Sequence, residues 1–396
     1  MGAVALSLLC VGPTRAQSVA PTTRTDTIAA AQSEKARDLQ PYVGNKAERF
    51  VNALEEGVIS GGMKWHPFFT SALAGGGFTL GAGYRKHVSS YNSVDLRGSF
   101  TVKGYTRLEA EFLAPRLFDR RGVLSVTGGW RQATQVGFYG IGTSGTSVDD
   151  RTNYGFEQPY ASAVLSYRPT RGWLVLAAGV EASQWTQEPG SGAAPSVEEA
   201  YSSSTLPGLG ASPTYVRWSG SVGADWRPAA DYARRGGYYD VAVHNFADTD
   251  EGFGFTQVDY TAIQHVPILR DVWVLSLRGE VQTTQLKDGQ TIPFYMLPAL
   301  GGGSSLRGFA SWRFRDRHSV LLSADWRVLA NHFLDVAVFY DAGKVVPATS
   351  ELNLEGLKTD FGVGIRMHGP MSTPLRIDAA KSNEGWQLVF SAQAAF

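Results

Sequence analysis

The chain has 396 residues, with 36 basic and 36 acidic side chains, so its formal net charge is zero and gives no electrostatic reason to expect a nucleic-acid partner. It is 43 % apolar and contains 45 glycines and one cysteine, Cys10, which excludes an intrachain disulfide and a Cys-based zinc site. Beyond the start, the sequence lacks the roughly 18 consecutive apolar residues of a membrane-spanning helix. A transmembrane barrel would show only short alternating segments, so composition leaves that class open.

The N-terminus has the pattern of an export signal. Residues 3–11 are apolar, and the following segment ends in Ala16, so we predict a signal peptide at 1–16. The usual positively charged leading region is missing, which leaves a short apolar N-terminus without export function as the alternative. Leu9 precedes Cys10 where a lipid-anchored cysteine would need a small residue. An export signal places the mature chain outside the cytoplasm.

Residues 17–64 form the next region, which we interpret as a periplasmic lead-in. Residues 18–41 carry little apolar content and predict a flexible segment. Residues 45–58 place apolar side chains at helical spacing and predict one short helix. That helix could brace the mouth of a barrel or lie loosely outside it.

From residue 65 to 396 the chain alternates between apolar and polar residues at period 2, the pattern of strands with one apolar and one polar side. The sequence predicts sixteen such segments: 67–74, 77–87, 91–102, 104–115, 121–133, 152–168, 171–186, 213–227, 236–246, 253–266, 271–284, 318–328, 332–342, 357–367, 373–381 and 385–396. An even number is expected of a bacterial single-chain barrel. The predicted fold is therefore all-β, a 16-stranded antiparallel transmembrane β-barrel.

The predicted connections give an independent check. Long ones fall on one edge, which we assign to the outside: 134–151, 187–212, 285–317 and 343–356. Short ones fall on the periplasmic edge: 88–90, 169–170, 267–270 and 329–331. Long outer loops and short inner turns are typical of these barrels. A soluble sandwich or propeller would not predict this division.

The faces of the predicted strands also agree with a barrel. In the last strand, Trp386, Leu388, Phe390 and Phe396 share one side. Charged residues of two neighbouring strands share the opposite side: Asp360, Arg366, Arg376 and Asp378. A charged side chain facing lipid at mid-depth costs roughly 2–4 kcal/mol, so the polar sides should line the lumen.

The segment 297–309 is rich in glycine and carries one cation, Arg307. Three successive glycines can adopt φ > 0, so the segment can fold back. Leu306-Arg307-Gly308-Phe309 resembles the [V/L/I]-R-G-[F/Y] motif of the bacterial surface antigen family, the BamA/TamA-like outer-membrane barrels. Residues 339–343 resemble that family's F-x-D-x-G strand, and the chain ends on Phe396.

The resemblance implies a latch between a long extracellular loop and the barrel wall. The loop 285–317 would fold into the lumen, and Arg307 would pair with Asp341, since an arginine fork can bond a carboxylate in two places. Asp325 is a second possible partner. Gly308 and Gly343 would let backbones approach closely. The alternative is that the pair of Arg307 and Asp341 only stabilises the barrel and has no part in transport. The terminal Phe396 resembles an outer-membrane sorting signal.

The function implied by the resemblance is outer-membrane biogenesis. The protein would insert or translocate unfolded outer-membrane or secreted protein clients, or move lipid, in contact with outer-membrane lipids. The sequence offers no room before residue 65 for the family's periplasmic POTRA repeats, so a periplasmic partner could replace them. The small residues at 75–77 and 394–395 are compatible with a weak seam between the first and last strands.

Two other functions remain open at this stage: a plugged or passive outer-membrane pore, and an outer-membrane hydrolase with a Ser-His pair. The seven histidines lack an H-E-x-x-H pattern, and the chain lacks a G-x-S-x-G elbow. Residues 140–145 fit G-x-G-x-x-G, but no βαβ pattern surrounds them, so a dinucleotide site is not expected. We expect no cofactor, no metal and no catalytic residue. Residues 138–142, with Arg151 and Tyr154, resemble another recurring segment of the family.

Overall fold

The computed structural model describes residues 23–38 and 64–396, apart from the single residues 145, 171, 251, 270 and 393. The predicted signal peptide at 1–16 and the predicted helix at 45–58 lie outside the described residues. The chain divides into two compact units, residues 1–46 and 47–396.

The described part of the first unit is a helix, α1 (Arg24–Asp38). The sequence predicted a flexible lead-in here, and this was wrong for the helical stretch. Three consecutive alanines, with Glu34 and Lys35 after them, are good helix formers, which explains a helix in a segment of low apolar content. Within the described residues, no helix is long and apolar enough to cross a membrane.

The second unit is built from β-strands. Their bounds, in chain order from β1 to β19, are Trp65–Pro67, Thr79–His87, Ser93–Thr101, Thr106–Arg116, Gly122–Phe138, Thr152–Tyr167, Leu174–Gln184, Thr186–Pro189, Thr214–Asp225, Gly236–Asp248, Phe255–Leu269, Trp273–Leu286, Ala299–Leu300, Phe314–Arg315, His318–Asn331, Leu334–Val346, Lys358–Met367, Leu375–Ser382 and Gly385–Ser391. Short helical turns lie between strands at Leu117–Arg120, Val197–Ala200, Phe294–Met296 and Thr349–Glu351.

Seventeen of the described strands form one sheet, while β13 and β14 pair only as a small hairpin. The ladders are antiparallel and join strands that follow one another along the chain. Strands β7 and β8 are separated by Trp185 alone, and both pair with β6. Strand β12 pairs with β15, because the hairpin lies within the connection between them. This up-and-down order confirms the predicted antiparallel all-β fold.

The longest connections between strands of the large sheet all lie at one of its edges. Long ones lie at the edge that we call the long-loop edge: 139–151, 190–213, 287–317 and 347–357. Most connections at the opposite, short-turn edge are short: 88–92, 117–121, 168–173, 270–272 and 332–333. The ten-residue connection 226–235 also lies there, while the short connections 102–105 and 383–384 lie at the long-loop edge. Alternate connections of antiparallel neighbours lie at opposite edges, so the strand order assigns each connection to its edge. The sequence predicted the long loops and the short turns that it named at the correct edges, with bounds that differ from the observed ones by up to five residues.

The two faces of the sheet have the reverse of the polarity of a soluble protein. On β16, Val336, Val338 and Tyr340 are exposed, whereas Asp335 and Asp341 are buried. On β17 three apolar side chains are likewise exposed, whereas Asp360 and Arg366 are buried. A water-facing sheet buries its apolar side instead. The exposed apolar face therefore fits a hydrocarbon environment, as the alternation predicted.

The first strand is shorter than predicted. The sequence placed it at 67–74, but β1 ends at Pro67. After a last backbone bond from the Phe68 amide to the Gly81 carbonyl at 2.9 Å, side chains of β3 and β4 bind this segment: Ser99 Oγ donates to the Thr70 carbonyl at 2.6 Å, and Arg107 donates to the Ser71 carbonyl at 3.4 Å. Such bonds satisfy backbone groups without strand pairing.

The last strand also ends early. The predicted strand ran to Phe396 with that ring on the apolar face, but β19 ends at Ser391. The Phe396 ring lies 6.4 Å from that of His265, and the Arg278 guanidinium lies 5.9 Å from the Phe396 ring centre. Both partners belong to the polar face, so the placement of Phe396 on the exposed apolar face was wrong. The small alanines before it bury little area that could hold the alternation in place.

Candidate latch site at the glycine-rich loop

The connection 287–317 folds back on itself through its glycines. Gly301 and Gly302 have φ of 117° and 95°, which a residue with a side chain rarely adopts. The Gly302 amide donates to the carbonyls of Leu306 and Phe309, at 3.0 and 3.1 Å. These bonds close a tight turn that presents Arg307 to the sheet.

Apolar residues on both sides of Arg307 anchor the turn. They form a buried cluster with residues of the hairpin and of the wall: Leu300, Leu306, Phe309, Phe314, Leu321 and Val345. Because Leu321 and Val345 belong to β15 and β16, this packing fixes the loop to the sheet. The Arg307 side chain is thereby directed at the polar face of these strands.

Arg307 binds Asp341 through a two-point ion pair. Its Nε donates to Asp341 Oδ2 at 2.6 Å, and its Nη2 donates to Asp341 Oδ1 at 2.9 Å. The guanidinium carbon lies 3.5 Å from the centre of the Phe339 ring. Charge-assisted bidentate bonds of this kind are among the strongest in proteins, and the aromatic face adds a cation–π contact.

Two further carboxylates complete the surroundings of Arg307. Its Nη1 donates to Asp325 Oδ2 at 3.3 Å and to Asp378 Oδ2 at 3.4 Å. One side chain thus connects the loop to β15, β16 and β18. Two arginines of the wall balance the charge, and the group that we call the ion cluster consists of Arg307, Asp325, Asp341, Arg366, Arg376 and Asp378.

The wall arginines also hold the loop and its partners. Arg366 Nη2 donates to Asp325 Oδ2 at 2.6 Å, which orients that carboxylate. Arg376 Nη2 donates to the backbone carbonyl of Gly303 at 2.6 Å. With three arginines and three aspartates, all buried, the ion cluster holds an equal number of formal charges of each sign. Buried charges persist only when they are paired in this way.

Gly308 lies where a side chain does not fit. A Cβ at this position would lie 2.5 Å from the Asp360 Cβ. Ser382 Oγ donates to the Gly308 carbonyl at 2.7 Å, so the backbone is held against β17 and β18. Gly343 admits the loop in a similar way, since its Cβ would lie 3.0 Å from Leu300 Cδ1. Gly343 therefore makes room for the hairpin, while the partners that bind Arg307 are carboxylates.

Other side chains of the loop reach distant parts of the sheet. Arg313 Nη2 lies 2.8 Å from Glu384 Oε1, in the turn before β19. Arg315 Nη2 donates to the Tyr154 hydroxyl on β6 at 2.9 Å, and Trp312 Nε1 donates to the Ala74 carbonyl, before β2, at 2.8 Å. The loop is thus bound to strands from both ends of the sheet and from its middle.

The aromatic residues at the long-loop edge form the largest buried apolar group near the loop. Phe294 packs against Phe138 and Tyr154, with ring centres 5.1 and 4.9 Å apart. Thr143, in the connection 139–151, exchanges hydrogen bonds with the Val345 backbone at 2.6 and 2.8 Å. The segment around residues 138–154 therefore packs over the loop and the end of β16.

The structure brings together Arg307, Asp325 and Asp341, which the sequence singled out as latch residues. It places Phe396 elsewhere, beside His265 and Arg278. Sequence reasoning missed the roles of Arg366, Arg376 and Asp378. Their signal was present in the polar faces of the last strands, but period-2 alternation does not say which polar residues meet across strands.

Comparisons with known proteins agree with this architecture. The Omp85 superfamily domain matches residues 90–391. BamA from Haemophilus ducreyi lacking POTRA domains 1–3 is similar in structure, with a TM-score of 0.61 and 15% identity over 83% of this chain and 69% of that one. CdiB from Acinetobacter baumannii gives 0.52 and 12% over 80% and 56%, and CdiB from Escherichia coli gives 0.53 and 12% over 81% and 57%.

At these identities the structural likeness concerns the fold. This chain spans just over half the length of the two CdiB chains. No curated protein matches the sequence.

Proposed function

We propose that this chain, which belongs to the Omp85 superfamily, is a sixteen-stranded outer-membrane β-barrel that assists the insertion or translocation of protein clients. The observation that carries the proposal is the two-point bond between Arg307 and Asp341, which ties a long loop to the polar face of the sheet. In a closed barrel that face is the lumen. The loop is then an internal plug with a latch that can be broken without covalent chemistry.

The contacts of the loop support closure of the sheet. If β7 and β8 count as one interrupted strand, the large sheet has sixteen strands, and laid flat at ~4.8 Å spacing it would be about 70 Å wide. Yet Trp312 bonds Ala74 near one end, and Gly303 lies against Val389 of β19 at the other. One loop can touch both ends only if the sheet curls back on itself, with β19 near β1 and β2.

The exposed apolar face supports a location in the bacterial outer membrane, with lipid as the first partner. Trp386, Leu388 and Phe390 on β19 are each more than half exposed. Leaving large apolar side chains in water forfeits roughly 1.5–3 kcal/mol each, which a hydrocarbon surrounding recovers. A location at the outer membrane also fits the predicted signal peptide at 1–16.

In the proposed mechanism the latch keeps the lumen plugged at rest. Release of the loop would leave Asp341 buried without its arginine, and an uncompensated buried charge of this kind costs about 3–5 kcal/mol, so spontaneous release is rare. A client strand that pairs with β1 or β19 would compete for the wall beside Gly303 and Glu384, where the loop is attached. Clients are unfolded outer-membrane or secreted proteins, with lipid as the alternative cargo and a periplasmic protein as a possible partner in delivery.

The test is client folding in vesicles. Purified protein is reconstituted, and the folding rate of an added unfolded small barrel is compared with that in empty vesicles and in vesicles with Arg307→Ala. The proposal expects acceleration by the native protein and a changed rate in the variant. Lys287→Ala, which removes an exposed cation from the same loop, is the matched control and should behave as the native protein. Equal folding rates with the native protein and with empty vesicles would rule out protein insertion as the function and leave a plugged pore as the alternative.

A further inference from the structure

The connection 226–235 joins β9 and β10 at the short-turn edge. It is twice the length of the turn 88–92 at the same edge. Three of its side chains, Ala229, Tyr232 and Ala233, are buried, although a turn of this kind is normally exposed. We call this segment the strap, because it is bound at both its middle and its end to distant strands.

Tyr232 forms the centre of the attachment. Its hydroxyl donates to Asp335 Oδ2 on β16 at 2.9 Å and accepts a bond from Arg234 Nη1 at 2.5 Å. Its ring stacks on the imidazole of His368, with centres 4.0 Å apart and planes 12° from parallel. Asp335 and His368 are themselves almost fully buried. A buried tyrosine usually satisfies its hydroxyl in this way.

The backbone of the strap is held as well. Arg327 on β15 donates to the Ala233 carbonyl, and Thr373 Oγ1 donates to the Asp231 carbonyl at 3.0 Å. Arg234 Nη2 donates to the Val272 carbonyl at 3.4 Å, in the turn between β11 and β12. These bonds satisfy the carbonyls of an irregular segment that would otherwise need water.

The span of these contacts shows where the strap runs. Six strand spacings of ~4.8 Å separate β10 from β18, which Thr373 precedes, so the distance along the sheet is about 29 Å. Ten residues that run out and back reach only about 17 Å at ~3.3 Å per residue. The strap therefore crosses the concave side of a curled sheet instead of following its edge.

We propose that residues 226–235 are a second plug, which closes the barrel at the short-turn opening while the loop 287–317 closes the opposite side. The strap binds Arg327, Asp335 and His368, whereas Arg307 binds Asp325, Asp341 and Asp378, so the two closures use different partners. This proposal rests on the proposed barrel, and it adds that the lumen is closed twice in series. A client or ion that enters from the short-turn side meets the strap first.

Closure in series makes a specific prediction for conductance in planar bilayers. Arg307→Ala alone and Tyr232→Ala alone should each stay near the native conductance, because one plug still blocks the path. The double variant should conduct at least tenfold more than either. Tyr260→Ala, which removes an exposed tyrosine of β11, is the control and should add nothing to Arg307→Ala. A full pore in Arg307→Ala alone would overturn the proposal, as would a silent double variant that still shows the heat-modifiable mobility of a folded barrel.

A reversible cross-link guards against misfolding of the Tyr232 variants. Asp231→Cys and Thr373→Cys are added to the double variant in a chain with Cys10→Ser, and a short cleavable thiol cross-linker joins them. The conductance should fall on cross-linking and return on cleavage of the cross-link. A conductance that does not change on cross-linking would contradict closure by the strap. Client folding by the native protein is measured separately. If the native protein does not accelerate client folding but the variants still show closure in series by conductance, the insertion function is refuted and the strap proposal stands.

Discussion

Arg307 and Asp341 form a two-point ion pair, with donor–acceptor distances of 2.6 and 2.9 Å. They are 34 residues apart in the chain and belong to a loop and a strand. The same guanidinium also reaches Asp325 and Asp378. A single side chain therefore joins the loop to three strands, so one substitution at Arg307 removes all three ionic attachments.

Arg307→Ala should release the loop. The substitution leaves Asp341 buried without its main partner, at a cost of about 3–5 kcal/mol in the attachment of the loop. Limited proteolysis of the folded protein should then show new cleavage within 287–317. Lys287→Ala should keep the native pattern. An unchanged pattern in Arg307→Ala would contradict a latch at this residue.

The pair should show strong coupling in a double-mutant cycle. Arg307→Ala leaves the Asp341 carboxylate without its arginine, and Asp341→Ala leaves Arg307 without its main partner, but the double variant removes both groups. We expect its loss in free energy of unfolding to be smaller than the sum of the single losses by about 1–3 kcal/mol. The measurement is urea unfolding followed by tryptophan fluorescence. Additive losses would mean that the 2.6 Å contact contributes little.

Gly308→Ala should mimic the loss of Arg307 without removing any charge. The added Cβ would lie 2.5 Å from that of Asp360, so the loop must shift away from β17. We expect the same new protease sites in 287–317. The control is Gly128→Ala, because a Cβ at Gly128 meets open space. Native protease resistance in Gly308→Ala would show that the loop tolerates a shift of this size.

Phe396 should matter for assembly more than for the stability of the folded protein. A sorting signal would be read in the unfolded precursor, so the position of the ring beside His265 does not decide its role. We expect Phe396→Ala to lower the amount of heat-modifiable protein in outer-membrane fractions severalfold, with little change in the urea midpoint of the purified protein. A normal amount of the Phe396→Ala protein in the outer-membrane fraction would show that Phe396 is not a sorting signal.

Much of the fold could be predicted from the sequence, because period-2 alternation reports directly on which residues share a face of the sheet. The strand β17, for example, begins and ends within one residue of the prediction. Other bounds were less accurate: β5 runs to Phe138, five residues beyond the prediction, and the predicted strand 171–186 is interrupted at Trp185. The two ends of the sheet also differ from the prediction. Side-chain bonds to the Thr70 and Ser71 carbonyls, and the ring contacts of Phe396, replace strand pairing there, and alternation carries no information about such contacts.

The candidate site was predictable in part for a similar reason. The motif around Arg307 and the alternation of β16 sufficed to suggest Asp341 as a partner. Arg376 and Asp378 could not be assigned, because their meeting with the loop depends on the curvature of the sheet. The strap was missed altogether, since Tyr232 lies in a segment whose sequence resembles an ordinary turn and whose partners Asp335 and Thr373 are over 100 residues away.

The most direct test of the account is to lock the loop to the last strand. An added Cβ at Gly303 lies 3.8 Å from the Val389 Cβ, the spacing of a disulfide, so Gly303→Cys/Val389→Cys with Cys10→Ser should form one on oxidation. If clients act where the loop meets β19, the oxidised protein should fail to accelerate client folding in vesicles, and reduction should restore the native rate. Equal acceleration by the oxidised and reduced forms would contradict the account.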